Sequence, residues 1–361
     1  MTPIQPQPGI MEIALYQGGK SQIAGHHDVL KLSSNENPLG VPPLAAQAIA
    51  DAAMGSHRYP STDHAELRAA IADVHGLEAE RIICGVGSDE VLQFVTQAFA
   101  GPGDGIIMTR HGFSMYPILT HMAGATPVTV DEADRIVDVD AILGAVTDRT
   151  RIVLLTNPGN PTGTRLSDAE LLRLADGLPQ DVILVIDAAY AEYAEGYDGG
   201  AALAASRPNV LMTRTFSKIY GLGGLRIGWG YGPQEMIDVL TRIRQPFNLS
   251  VVQLAAAEAA VRDQDWVRTC ADLNAEQRAR LTGALRQLGI ACDDSDCNFV
   301  LARFADADEA AAADAALQDA GILVRRVAGY GFPEGLRITV GDKDGTGRVI
   351  AALTQWREVG K

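Results

Sequence analysis

Only five lysines occur in the 361-residue chain, and four of them, Lys20, Lys31, Lys343 and Lys361, stand in polar or terminal surroundings. Lys218 does not. It lies in Thr213-Arg214-Thr215-Phe216-Ser217-Lys218-Ile219-Tyr220-Gly221-Leu222-Gly223-Gly224-Leu225-Arg226, between a strand-like run and a glycine-rich turn. Partial desolvation there would lower the pKa of the amine and free the neutral nucleophile that attacks an aldehyde. The plain alternative is a surface lysine in a loop. The hydroxyls of Thr215 and Ser217 and the guanidinium of Arg226 are donors of the kind that bind a phosphate.

Gly87-Ser88-Asp89-Glu90 reads as the opening of a helix, with Ser88 as its cap. Unpaired backbone N–H groups at such a start favour an anion. Asp89 and Glu90 would then turn aside, and their plain role is as first-turn acids that suit the helix dipole. Asp187 closes the apolar run Val182-Ile183-Leu184-Val185-Ile186. A carboxylate at the C-terminal end of a parallel strand faces the crevice where such sheets bind ligands. It can serve there as counter-charge to a protonated ring nitrogen, or merely cap a turn. Tyr190 follows three residues on, within reach of a ligand oxygen. Thr156-Asn157-Pro158-Gly159-Asn160-Pro161-Thr162-Gly163 trails another apolar run and offers the Asn160 amide, or is simply a loop rich in turn formers.

The elements that must hold these groups alternate. Strands are expected over 81–84, 105–109, 126–130, 151–155, 182–186, 210–214 and 226–231. Helices are expected over 43–53, 63–74, 88–100, 117–123 and 168–177. That alternation predicts an α/β fold with a mostly parallel sheet covered on both faces. Beyond about residue 248 the pattern changes to Ala-rich helices over 251–288, then strands over 298–303, 322–327 and 336–340. The organisation expected is an N-terminal arm over 1–44, a large ligand-binding domain over 45–248 and a small α+β domain over 249–361.

Asn160-Pro161-Thr162-Gly163, then Asp187-x-x-Tyr190, then Ser217-Lys218 with Arg226 eight residues later, resemble the signature of fold-type I aminotransferases dependent on pyridoxal 5'-phosphate (PLP). The resemblance implies a seven-stranded, mostly parallel sheet. It implies Lys218 as Schiff-base lysine and proton shuttle, Asp187 on the pyridine nitrogen, and Asn160 and Tyr190 on the phenolic oxygen. Thr215, Ser217, Arg226 and Gly87-Ser88-Asp89-Glu90 would take the phosphate. Phe113 sits where the family stacks an aromatic ring on the cofactor, within His111-Gly112-Phe113 rather than Pro-Thr-aromatic.

Within that superfamily the chain is similar to histidinol-phosphate aminotransferases over nearly its whole length. The matching segments include Leu32-Ser33-Ser34-Asn35-Glu36-Asn37-Pro38-Leu39-Gly40, His57-Arg58-Tyr59-Pro60, Asn298-Phe299-Val300-Leu301 and Leu336-Arg337-Ile338-Thr339-Val340-Gly341. This implies a homodimer in which Tyr59 reaches the neighbouring site and helps bind the cofactor there. It implies substrate contacts from Tyr16, Asn37, Tyr59, Asn160, Arg325 and Arg337. Transamination between L-histidinol phosphate and 2-oxoglutarate, by a ping-pong route in histidine synthesis, is the expected activity. An aromatic amino-acid aminotransferase, a threonine-phosphate decarboxylase and a non-catalytic regulator on the same fold are the alternatives.

Bulk properties agree with an enzyme. Hydrophobic residues make up 47% and charged residues 21%, enough to fill a sizeable core. The net charge of −15 argues against nucleic acid or an anionic membrane surface as partner. No basic helix-turn-helix extension is seen. The N-terminal stretch lacks a signal-peptide pattern and no apolar run reaches membrane-spanning length, so the cytoplasm is expected. The four cysteines form no CxxC pair and no histidine lies near Cys292 and Cys297, so neither a disulfide framework nor a metal is expected. Gly221-x-Gly223-Gly224 lacks dinucleotide-binding spacing and precedes a strand, which excludes a dehydrogenase.

Overall fold

Alternate residues of the central strands enter two different cores. Ile107, Val153, Leu155, Leu184, Ile186 and Met212 pack on one face of a sheet. Ile106, Met108, Ile152, Leu154, Val185 and Leu211 pack on the other. A strand buried on both faces needs a continuous apolar run, and this is the pattern the sequence carries. The computed structural model describes residues 4–15, 22–25 and 28–359.

In chain order the strands are β1 (Leu30–Lys31), β2 (Ile82–Gly85), β3 (Gly105–Thr109), β4 (Thr126–Val130), β5 (Thr150–Thr156), β6 (Ile183–Asp187) and β7 (Val210–Thr215). They continue with β8 (Gly228–Tyr231), β9 (Ala291–Cys292), β10 (Phe299–Arg303), β11 (Ile322–Leu323), β12 (Arg325–Arg326) and β13 (Gly335–Thr339). The seven-stranded sheet has the order β2-β8-β7-β6-β5-β3-β4. The pairings of β8 with β2 and with β7 are antiparallel, and the other pairings of this sheet are parallel. A four-stranded antiparallel sheet, β12-β13-β10-β9, stands apart, with the helices Ala307–Asp319 and Lys343–Val359 contributing to its core.

Helices the sequence pattern did not give form over Val139–Gly144, Ala201–Ser206, Gln234–Ile243, Ala307–Asp319 and Lys343–Val359, and two runs read as single stretches divide. The run over 322–327 is two strands, because β11 pairs with β1 in parallel while β12 pairs with β13. The stretch over 251–288 is two helices, Val251–Arg262 and Gln264–Gln287, interrupted at Asp263, whose carboxylate accepts from Trp266 N to cap the second. Ala256, Ala257, Ala260 and Val261, beyond the expected boundary near 248, are buried in the core of the large sheet. Among the described residues, no helix is long and apolar enough to cross a membrane.

Candidate active site

Three neighbouring strands end together. The register pairs Thr156 of β5 with Asp187 of β6, and Asp187 with Thr213 of β7. Loops leaving these ends, and the turns after β1 and β12, enclose a cavity of about 180 Å³. Asp187 is buried at its floor. Tyr116 donates to Asp187 Oδ2 at 3.1 Å, and Thr213 donates to Oδ1 at 3.3 Å. These two donors do not offset burial, which with the nearby charge of Asp89 pushes the carboxyl up to about 7. A carboxylate so placed is short of a cation.

Lys218 follows β7 and lines the same cavity. Its Nζ donates to the Ser34 carbonyl at 3.4 Å and lies 5.7 Å from the centre of the Tyr190 ring. Burial, and next the positive charge of Arg337, bring its pKa down to about 8, with Asp89 opposing. A usable fraction of the amine is therefore neutral near physiological pH.

A third wall suits an anion. The helix Ser88–Phe99 starts there, but its cap is Gly87, and Ser88 is the first helical residue with no capping bond of its own. Gly87 has φ +79°, and a Cβ on it would come 2.7 Å from Arg226 Nη2. A Cβ on Gly228 would come 2.1 Å from Ser88 N, so β8 can seat the helix start this closely only with glycine. Arg226 donates to Ser217 Oγ at 3.1 Å and pairs with Asp89 Oδ2 at 2.8 Å. Asp89 thus faces the cavity rather than turning aside. Glu90 does turn aside, accepting from Val86 N and from Asn248 Nδ2, each at 2.7 Å.

Opposite, Arg337 projects from β13. Its Nη1 donates to Asn160 Oδ1 at 2.5 Å and its Nη2 to the Ser33 carbonyl at 3.0 Å, while its buried Nε has no partner. Arg325 lines the cavity from β12, in register with Arg337. Tyr190 accepts from Asn35 Nδ2 at 2.8 Å, and burial pushes its hydroxyl pKa up. Phe113 lines the cavity with its ring edge-on to Tyr116 at 5.8 Å.

The cavity therefore gathers Ser88, Asp89, Phe113, Asn160, Asp187, Tyr190, Thr215, Ser217, Lys218, Arg226, Arg325 and Arg337. It does not gather Asn37, whose amide donates to the Ile219 carbonyl at 2.7 Å and to Cys270 Sγ at 3.1 Å. Nor does Tyr59 reach it within the chain. That ring is 82% exposed and stacks on Phe247 at 4.6 Å. Tyr16 lies outside the described residues. Sequence reasoning missed Asn35, Tyr116 and Tyr330. Asn35 lies two positions before Asn37 and lines the cavity from a turn marked by its φ of 56°.

Residues 27–353 match the family described as aminotransferase class I and II. The chain belongs to that family. Among curated class I and II aminotransferases, the histidinol-phosphate aminotransferase of Ruegeria pomeroyi is 66% identical, over 99% of this chain and 99% of that protein. The one from Jannaschia sp. is 62% identical over 98% of each. Among solved structures, histidinol-phosphate aminotransferase from Sinorhizobium meliloti in complex with pyridoxal-5'-phosphate superposes with a TM-score of 0.90 at 27% identity, covering all of both chains.

Proposed function

We propose that this aminotransferase moves an amino group between L-histidinol phosphate and 2-oxoglutarate with PLP as cofactor, giving imidazole acetol phosphate and glutamate. The observation that carries the reading is that one small cavity is lined by a lysine amine with its pKa lowered to about 8, a buried carboxylate short of a cation and an arginine–serine anion corner. Identity of 58–66% to histidinol-phosphate aminotransferases over almost the full chain supports the substrate.

The residues fit the cofactor. Asp187 lacks the cation that a protonated pyridine nitrogen supplies. Gly87, lacking a Cβ, lets Arg226 come close to the start of the helix Ser88–Phe99, and a phosphate would lie at this corner with Ser88, Thr215 and Ser217 around it. Asn160 and Tyr190 would hold the phenolic oxygen and Phe113 the ring face. When bound, PLP supplies a conjugated ring that stabilises negative charge at the substrate's α-carbon.

The chain does the rest. Lys218, whose burial leaves part of the amine neutral, would accept the α-proton and pass it to the carbon that carried the cofactor's aldehyde, a role worth typically about 10²–10⁴-fold in rate. The Asp187 charge would keep the ring nitrogen of a bound cofactor protonated. Arg337 and Arg325 present planar forks that fit a phosphate or a carboxylate alike, so one site serves both half-reactions. Fixing that anion orients the α-carbon toward Lys218.

Two finer points belong to the same reading. Tyr59 and Phe247, stacked on one another, present apolar surface to solvent, 82% and 46% exposed. A second copy covering this face, with Tyr59 entering its neighbour's site, accounts for an aromatic ring so exposed. Cys84, Cys270, Cys292 and Cys297 are free thiols, which supports a reducing compartment and hence the cytoplasm.

A spectral titration of the PLP-loaded protein tests the substrate. L-histidinol phosphate should shift the cofactor absorbance at low concentration, and L-phenylalanine should do so poorly. An equal or better response to phenylalanine would replace the reading with an aromatic aminotransferase. No visible band after PLP addition would end it.

A further inference from the structure

The wall of the site that carries Arg325 is fastened from across the molecule. After β12 the chain makes a tight turn over 327–332, in which Tyr330 N bonds to Val327 O and Gly331 N to Ala328 O, each at 2.9 Å. Tyr330 sits at its apex and lines the same cavity as Arg325. On its inner side the turn packs as a small apolar group of Leu301, Val327, Tyr330 and Phe332.

Two side chains of the loop after β3 grip this turn. The His111 ring Nδ1 lies 2.6 Å from the Tyr330 carbonyl oxygen, and the Ser114 hydroxyl lies 3.1 Å from the Tyr330 hydroxyl. A carbonyl only accepts, so His111 carries its hydrogen on Nδ1 here. The His111 ring also packs on Phe332, with centroids 4.1 Å apart. Gly331 has φ +88°, and a Cβ there would fall 2.8 Å from His111 Cε1, so the turn offers the ring bare backbone. His111 is itself held, because Glu132 Oε1 accepts from His111 N at 3.0 Å. Phe113, between the two gripping residues, lines the cavity from this same loop.

We propose that His111 and Ser114 are positioning residues that clasp the turn 327–332, fixing Tyr330 and Arg325 as the wall against which the amino donor's anionic group is held. The proposal rests on the transaminase reading and adds to it a named mechanical support. Arg325 lies on a two-residue strand whose backbone, among the described residues, pairs with β13 at the edge of its sheet, and so short a strand has little rigidity of its own. Without the clasp, Arg325 and Tyr330 would sample positions off the substrate, and the loss would appear in donor binding. Lys218, Asp187 and the anion corner at Arg226 lie on other elements and would keep their geometry.

The test uses PLP-loaded enzyme with L-histidinol phosphate and, separately, L-glutamate as donor. His111→Leu should raise KM for the donor about 5- to 10-fold, with a smaller fall in kcat, while the affinity for PLP stays within about 2-fold. His111→Asn, whose amide can donate to the same carbonyl, should restore most of that loss. Tyr330→Phe and Ser114→Ala should each raise KM a few-fold, and the double variant no further than either alone, because both remove one shared bond. Should His111→Leu not fold, Tyr330→Phe and Ser114→Ala still decide the matter. Unchanged KM in these variants, or a parallel loss of kcat and PLP affinity, would overturn the clasp while leaving the transaminase reading intact. A wild-type enzyme that accepted neither donor would overturn both.

Discussion

Replacing Asp187 by Asn should make the cofactor-free protein more stable while spoiling the site. The carboxyl is buried, and its pKa stands at about 7 against an ordinary 3.8. A raised folded pKa means that the folded chain binds the proton more tightly than the unfolded one. Stability is then fully present below about pH 4, falls as pH climbs to about 7, and is flat above. A shift of about 3 units corresponds to about 4 kcal/mol lost at pH 8. Asparagine carries no charge to bury, but it serves Tyr116 and Thr213 less well, so the net gain expected is about 2–4 kcal/mol. Scanning fluorimetry of cofactor-free wild type and Asp187→Asn should show the variant melting several degrees higher at pH 8. The gap should narrow by about 2–3 kcal/mol toward pH 5. Adding PLP should reverse the order, because a ring cation compensates only the carboxylate. A pH-independent gap, or a variant less stable than wild type at pH 8, would refute the argument that this carboxylate is held at a cost for want of a cation.

Other outcomes follow from the same geometry. Lys218→Ala should abolish both the visible band of the cofactor-bound enzyme and multiple turnover; sustained turnover in a steady-state assay would exclude the assigned role. Because the neutral amine is the nucleophile and its pKa is about 8, the rate of PLP capture by the cofactor-free protein, followed by stopped-flow absorbance, should rise as pH passes through about 8 and level off above. Gly87→Ala places a methyl 2.7 Å from Arg226 Nη2 on a left-handed backbone, and should weaken PLP binding in equilibrium dialysis by about 10-fold or more. Arg337→Ala should raise KM for glutamate and histidinol phosphate together, and an effect on only one would break the shared-anion idea.

Local sequence carried most of the large sheet and its end-of-strand chemistry. A continuous apolar run with a polar residue after it, as at Val182 to Asp187, announces both a strand buried on two faces and the group left at its mouth. Lys218 was legible because its neighbours, a strand before and glycines after, differ so sharply from those of the other four lysines. What local pattern cannot carry is a partner far away in sequence. Tyr190 takes its hydrogen bond from Asn35, 155 residues earlier, and Asn35 is itself held by Thr339 and Asn298, more than 260 residues on. Nothing in the run Ser33-Ser34-Asn35-Glu36-Asn37 favours Asn35 over Asn37 until that network exists.

The split of the segment over 322–327 has the same origin. Ile322 and Leu323 answer to β1, and Arg325 and Arg326 to β13, so one apparent strand serves two sheets. That division also puts Arg325 on a two-residue element at the cavity's edge, where the alternation of side chains gives it direction but little stiffness. The stiffness comes from the turn that follows and from His111 and Ser114 beneath it, 219 and 216 residues away from Tyr330 in sequence. An apolar strand can be rigid through its own core and so writes its role locally. A polar residue on a short edge strand must borrow rigidity, and the lender can be named only once the chain is folded.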